Sequence, residues 1–250
     1  TARDERLAPV TEMIDTTEMY LRTILELEEE GIVPLRARIA ERLGHSGPTV
    51  SQTVGRMERD GLLAVVGDRH LELSERGRLA ATRVMRKHRL AERLLVDVIG
   101  LDWDLAHDEA CRWEHVISDE VERRILALLG QDAADAPESP YGNPIPGLDE
   151  LVGGDRDTPD FLEGVVALAE IVEGTDAVGL LVRTRRIGEP VQAEHAALSL
   201  LTVAGLVPGQ ISRVWLQEEQ IRARREDGGG AEPVVLPRSV ANHVFVVPGR

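Results

Sequence analysis

A mainly α-helical chain with a small β component is predicted by three features of this 250-residue sequence. A helix, a helix–turn–helix and a two-stranded hairpin come first, in the order of a winged helix–turn–helix. Two long amphipathic segments joined by a short connection come next. Several short apolar runs bounded by turn residues close the chain and suggest a small β barrel. The expected organisation is a winged helix–turn–helix at 1–82, a helical domain at 83–150 with a Pro-rich linker from about 131, and the barrel at 151–250.

Thr11–Glu29 is helical in period, with Ile14, Tyr20, Leu21, Ile24, Leu25 and Leu27 on one face, and Gly31 and Pro34 end it. Leu35–Leu43 is a second helix, stopped at Gly44. Ser46 or Gly47 caps the third, with Pro48 in its first turn and Val50, Val54 and Met57 inward, and it closes at Asp60-Gly61. Leu62–Val66 and His70–Leu73 flank the turn residues Gly67, Asp68 and Arg69, a hairpin signal.

Ser74-Glu75 opens a helix expected to reach about Ile99, and a second is expected from Asp104 to about Leu129. The connection Ile99–Trp103 is short enough to make them antiparallel neighbours. Between Gln131 and Asp160 the composition shifts to Pro, Gly, Asp and Ser, which reads as an extended linker. Strands are expected at Val165–Val172, Val178–Thr184, Ile211–Leu216, Val234–Leu236 and Val244–Val247, with a helical patch at Ala193–Ala204 and a surface loop at Gly228–Gly230.

The composition, 42% hydrophobic and 29% charged, is that of a globular chain. Its net charge of −15 taken alone argues against nucleic acid, but the charge is uneven. Pro34–Leu90 holds 12 basic and 6 acidic residues, a local net of +6, so the other 193 residues carry −21. Phosphate contacts are local, so the local value is the relevant one. All but one of the Lys and Arg residues are arginine, the exception being Lys87. A single cysteine, Cys111, excludes an internal disulfide. No apolar run approaches the ~18–20 residues of a membrane span, and no signal peptide is visible, so a cytoplasmic protein is expected.

Two constellations carry chemistry. A recognition helix presents its N-terminal residues to base edges. The third helix offers Ser46, Pro48, Thr49, Ser51 and Gln52 there, with Arg56 and Arg59 further along. Gln reads adenine through two bonds, while hydroxyls and arginines hold phosphates. Arg36, Ala37 and Arg38 on the preceding helix, and Arg69 in the wing, complete the candidate surface. The second constellation is His107, Cys111, Glu114 and His115, which on one helix fall within an arc of about 100°. His88 and Glu92 are an i, i+4 pair on the preceding helix, and antiparallel folding sets Glu92 opposite Ala110 and His88 opposite Glu114. This mixed N, O and S set suits a first-row divalent transition metal rather than Mg or Ca, and does not match a Cys-rich structural zinc site.

The stretches DTTEMYLR (Asp15–Arg22), SGPTVSQT (Ser46–Thr53), RMERDG (Arg56–Gly61), MRKHRLAERLL (Met85–Leu95), HDEACRWEH (His107–His115) and NPIPGLDE (Asn143–Glu150) resemble the diphtheria toxin repressor family, in its branch of actinobacterial iron-dependent regulators. The resemblance implies a winged helix–turn–helix, a helical dimerisation and metal domain, and an SH3-like C-terminal barrel. It implies an Fe(II)-activated repressor that dimerises and binds palindromic double-stranded operators of iron-homeostasis genes, with one or two dimers per operator and no membrane partner. Co, Ni, Zn or Mn are expected to substitute in vitro. The primary metal set maps to Met19, Cys111, Glu114 and His115. The ancillary set maps to His88, Glu92 and His107, completed by Glu189 and Gln192 of the EPVQ stretch. An anion site maps to Arg89, Ser139 and Asn143. Manganese-responsive relatives replace the Met and Cys by carboxylates, so their retention points to iron.

Two departures stand out: Gly44-His45 before the recognition helix, and the arginines 183, 185, 186, 222, 224 and 225 of the barrel. Rival readings are a manganese-responsive regulator, a winged-helix regulator sensing an organic ligand, a metalloenzyme, and a purely structural metal site. No acid–base pair beyond the ligand set is evident, which weighs against the enzyme.

Overall fold

The computed structural model describes residues 16–130, 138–153, 159–175, 178–227 and 232–249, and the chain divides into two compact units. Thr1–Glu28 with Val33–Val84 form the first, and Glu29–Ile32 with Met85–Arg250 the second.

In the first unit, α1 (Thr16–Glu29), α2 (Arg36–Leu43) and α3 (Gly47–Arg59) surround a core of Tyr20, Leu21, Ile24, Leu27, Ile39, Val50, Val54 and Met57. Its ends are set by local chemistry. Gly44 stops α2 in the left-handed region at φ 64°, and the Ser46 hydroxyl caps α3 by accepting from the Thr49 amide at 3.4 Å. Strands β1 (Leu63–Val66) and β2 (His70–Leu73) pair antiparallel around the expected turn, with Leu63, Leu71 and Leu73 inward. Helix α4 (Glu75–Arg93) begins in this unit. At Gly77 a Cβ would lie 1.8 Å from the Leu62 carbonyl oxygen, so only glycine lets α4 start against the end of the hairpin.

In the second unit α4 continues as a π-helical stretch, Leu94–Ile99, ended by Gly100 at φ 78°. The segment expected as one helix from Asp104 to Leu129 is two, α5 (Trp103–Trp113) and α6 (Asp119–Leu129). Ser118 is the cause: its hydroxyl accepts from the Val121 amide at 3.4 Å, and Asp119, Glu120 and Glu122 place negative charge in the new first turn. Leu90, Ala91, Leu95, Ala106, Ala110, Ile125 and Leu126 form the core of this helical layer.

The Pro-rich stretch is not an extended linker where it is described. Ser139, Tyr141, Asn143, Ile145 and Leu148 are buried, and the one-turn helix α7 (Asp149–Val152) follows. A Cβ at Gly142 would lie 1.8 Å from the Arg185 carbonyl oxygen, which shows how closely this strap lies on the strand beyond it.

The C-terminal part is a six-stranded antiparallel sheet in the order β3-β8-β4-β5-β6-β7, comprising β3 (Val166–Ala167), β4 (Leu180–Ile187), β5 (Ile211–Gln217), β6 (Gln220–Arg225), β7 (Val234–Leu236) and β8 (Val244–Pro248). The strand expected at Val165–Val172 is two residues long and turns into the short helix α8 (Leu168–Ile171), which buries Leu168 and Ala169. Strand β6 was not expected, because four of its six residues are polar or charged. Ile221 and Ala223 nevertheless alternate inward from Arg222 and Arg224. Helices α9 (Glu189–Gln192), α10 (His195–Ala204) and α11 (Arg238–Ala241) complete this part. The loop expected at Gly228–Gly230 lies outside the described residues.

Candidate metal centre and recognition helix

Helix α4 places His88 and Glu92 one turn apart, and α5 does the same for His107 and Cys111. Glu114 is the C-cap of α5 and His115 lies in the turn beyond it. Helix α9 follows Gly188 with Pro190 in its first turn, which presents Glu189 and Gln192 from the barrel side of the unit.

These side chains meet. His88 Nε2 lies 2.8 Å from Glu92 Oε1, and its Nδ1 lies 2.7 Å from Glu114 Oε2. His107 Nδ1 lies 3.1 Å from Gln192 Oε1 and 3.4 Å from both Glu92 Oε1 and Glu189 Oε2. Cys111 Sγ is 3.5 Å from His107 Nε2, and His115 Nε2 is 3.2 Å from Glu114 Oε1. One donor atom each from His88, Glu92, His107 and Glu189 lie within 4.8 Å of one another, and so do those of His88, His107 and Cys111. The antiparallel register expected from sequence therefore holds, with His88 facing Glu114.

Six of the donors are buried: His88, Glu92, His107, Glu114, Glu189 and Gln192. Gln192 Nε2 donates to the Ile187 carbonyl at 2.6 Å, which turns its oxygen toward His107. Three carboxylates in one buried cluster are costly without compensating positive charge. Arg89 supplies part of it, donating to Glu189 at 3.0 Å and to Glu29 at 2.6 Å. Glu92 Oε2 is buried and accepts no hydrogen bond. A divalent cation fits this remaining negative charge and this donor set.

Burial pulls the His107 imidazole down, but the charge and hydrogen bond of Cys111, with the hydrogen bond to Glu92, outweigh it and push it up to about 10. Burial raises Glu92, yet the charge of His88 and hydrogen bonds from His107 and His88 hold the carboxyl below the usual range. Glu189 is held well below that range, because His88 and Arg89 overcome its burial.

Of the residues the resemblance assigned to the primary set, Cys111, Glu114 and His115 lie in this network, where Cys111 leans on His107 and Glu114 on His88. Met19 lies on α1 in the first unit, half-buried, with its carbonyl accepting from the Thr23 hydroxyl at 2.9 Å. The expected anion residues Arg89, Ser139 and Asn143 are all buried. Arg89 also donates to the Pro144 carbonyl at 2.6 Å, and Asn143 Nδ2 donates to the Ile187 carbonyl at 2.9 Å. An external anion would have to displace Glu29 or Glu189 from the guanidinium. Glu29 was missed at the sequence level, since nothing in the run Glu28-Glu29-Glu30 marks the middle residue as the partner of Arg89.

On α3, Ser46, Pro48, Thr49, Ser51, Gln52, Arg56 and Arg59 are exposed, while Val50, Thr53, Val54 and Met57 are buried. The candidate reading face is thus the solvent face of an amphipathic helix. Arg56 donates to the Thr17 hydroxyl at 3.4 Å. Ala37 is exposed, Arg36 half-buried, and Arg38 donates to the Val33 carbonyl at 2.7 Å. Arg69 is exposed at the tip of the wing, with φ 70°.

Comparison with known proteins places this arrangement. Residues 12–71 match the family model of the iron-dependent repressor N-terminal DNA-binding domain. Residues 74–147 match that of the iron-dependent repressor metal-binding and dimerisation domain. The chain is 52% identical over 244 residues to the iron-dependent repressor IdeR of Mycobacterium tuberculosis, covering 95% of this chain and 99% of that protein. It is 58% identical over 198 residues to the diphtheria toxin repressor of Corynebacterium diphtheriae, covering 79% and 83% respectively. Among solved structures, a manganese-dependent transcriptional repressor in complex with manganese is similar at a TM-score of 0.74 and 28% identity, over 93% of this chain and 100% of the other. The chain therefore belongs to the iron-dependent repressor family, as a DNA-binding transcriptional repressor with a metal-binding and dimerisation domain, and is not an enzyme.

Proposed function

We propose that this chain is an Fe(II)-activated repressor that binds, as a homodimer, palindromic operators of iron-homeostasis genes in the cytoplasm. The observation that carries the metal part is the buried cluster of His88, Glu92, His107 and Glu189 with Cys111 and Glu114 beside it. The ancillary set is His88, Glu92, His107, Glu189 and Gln192. Cys111, Glu114, His115 and, in the first unit, Met19 make up the primary set. A bound divalent cation supplies positive charge to these carboxylates and a preferred geometry for imidazole and sulfur ligands. His88 and Glu92 come from α4, His107 and Cys111 from α5, and Glu189 and Gln192 from α9. Metal binding favours whichever arrangement brings these elements together, and by reciprocity operator binding tightens the metal.

Sulfur donors favour iron over manganese, and Co, Ni, Zn or Mn substitute in vitro. The DNA-binding set is Arg36, Ala37, Ser46, Pro48, Thr49, Ser51, Gln52, Arg56, Arg59 and Arg69. A gel-shift titration on palindromic operator DNA with Fe(II), Mn(II), Zn(II) and chelator tests the reading. Fe(II) is expected to give the shift and chelator to abolish it, while Cys111→Ala and Met19→Ala weaken it at least tenfold. Metal-independent binding relieved by a small organic molecule would establish the ligand-sensing alternative instead. Light scattering of the bound complex counts one or two dimers per operator.

A further inference from the structure

Beside the edge strand β3 the second unit holds a cavity of about 420 Å³, a volume in the range of small-molecule sites. All of its lining residues belong to that unit, and none is in either metal set or on the recognition helix. Ile32, Leu162, Val165, Val166 and Phe245 give it apolar walls. Two features fix those walls. Gly31 turns the chain after α1 at φ 68°, and a Cβ there would lie 3.1 Å from Leu162 Cδ1, so the segment that carries Ile32 is packed closely on Leu162. The Phe245 ring stands edge-on to Phe161 at 89°, with centroids 5.2 Å apart.

Four polar side chains converge on this apolar space: Glu30, Glu170, Asn242 and His243. The Glu30 side chain is only 3% exposed, and its Oε2 lies 2.6 Å from Nδ1 of His243, which is 21% exposed. The pair is held against Gly188, whose amide donates to the His243 carbonyl at 2.7 Å, and where a Cβ would lie 2.6 Å from Glu30 Oε1. Glu170, Asn242 and Val166 are exposed and mark the mouth. No lysine or arginine is among the described residues that line the cavity. Two carboxylates stand against one imidazole, so the lining stays negative even when His243 is protonated. An occupant with an apolar body and one positive charge complements it, whereas an anion meets like charge.

We propose that this cavity is a binding site for a small organic cation, a primary amine carried on an aromatic or branched aliphatic body. The carboxylates hold the ammonium, more strongly than in open water because Glu30 is buried, and the apolar walls hold the body. The site stands apart from the metal and DNA assignments and does not depend on them. Its floor nevertheless adjoins α9, since Gly188 is the N-cap of the helix that carries Glu189 and Gln192.

The test titrates the full chain with benzylamine while methyl NMR follows Ile32, Val165 and Val166 and ring resonances follow His243. Saturable shifts at these residues are expected, with half-saturation at about 1 mM, the scale for so small a ligand. Benzyl alcohol, with the same body and no charge, and phenylacetate, with the opposite charge, should bind at least tenfold more weakly. Two variants locate the site. Val166→Trp fills the mouth, and Glu170→Arg reverses an exposed charge without touching the core. Each should weaken benzylamine at least tenfold, and the second stays informative if the first does not fold. No saturable shift at the lining residues, an equal response to benzyl alcohol, or full affinity in Glu170→Arg overturns the proposal.

Discussion

Arg86 shows what a single residue decides in this chain. Its guanidinium is buried on α4, and it donates to Glu122 of α6 at 2.6 Å, to Glu150 of α7 at 3.0 Å and to the Gly147 carbonyl at 2.6 Å. Burial alone would lower its pKa, but the hydrogen bonds and charges of Glu122 and Glu150 raise it, so the cation is fully compensated. Removing one side of such a pair strands the other. Arg86→Met is therefore expected to cost about 3–5 kcal/mol in urea or thermal unfolding, because Glu122 is left fully buried without its partner. Arg86→Met with Glu122→Leu should recover most of that loss; a single variant as stable as the wild type would show that Glu122 is solvated. Arg86, Arg89, His88 and Glu92 all lie within two turns of α4, yet their sequence environment looks uniformly basic. Local spacing singled out only His88 and Glu92, through their i, i+4 relation, while Arg89 came from the resemblance and Arg86 from neither.

Among elements, the division of the expected 104–129 helix matters most. Apolar periodicity continues through Val116 and Ile117, and so favours one helix, but Ser118 with three acidic residues in the next turn is a start signal in its own right. The cap prevails locally because a new helix turn satisfies its amides there, while α5 ends with Glu114 as its last capping residue. Ser118→Ala is expected to destabilise the second unit by about 1 kcal/mol, read as a shift in the unfolding midpoint with unchanged slope. A larger loss accompanied by weaker metal binding would mean that the cap also positions Glu114 and His115. Strand β6 carries the complementary lesson. Its outward arginines hid an inward Ile221 and Ala223, because alternation with a residue as small as alanine gives a weak apolar signal.

For the whole molecule the controlling quantities are charge and protons. A chain of net −15 gathers +6 into the segment that holds the recognition helix and wing, which makes DNA a local rather than a global electrostatic question. The metal cluster is linked to pH. His107 is pushed up to about 10 by Cys111 and Glu92, so near neutrality the His107–Cys111 pair holds one proton more than a metal-ready imidazole and thiolate, whichever atom carries it. Metal must expel that proton. Affinity for a divalent cation is thus expected to rise with pH, by about tenfold per pH unit for each proton released, and to fall in acid. Calorimetry in buffers of different ionisation enthalpy counts the protons; a count of zero would mean that neither residue binds the metal.

Local spacing was enough to identify the winged helix–turn–helix, the antiparallel pairing of α4 with the following helix, and the convergence of His88, Glu92, His107, Cys111 and Glu114. Those features depend on helical period, caps and short connections, all of which are properties of neighbouring residues. Glu189 and Gln192 were reachable through family resemblance alone, since they lie about a hundred positions from the residues they join. The pairing of Glu29 with Arg89, the burial of the strap from Ser139 to Leu148, and the hydrogen bond between the Tyr20 hydroxyl and His45 Nδ1 were decided by tertiary structure. Each is a contact between segments distant in sequence, and what selects it is the requirement that a buried polar group find a partner, which no local pattern encodes.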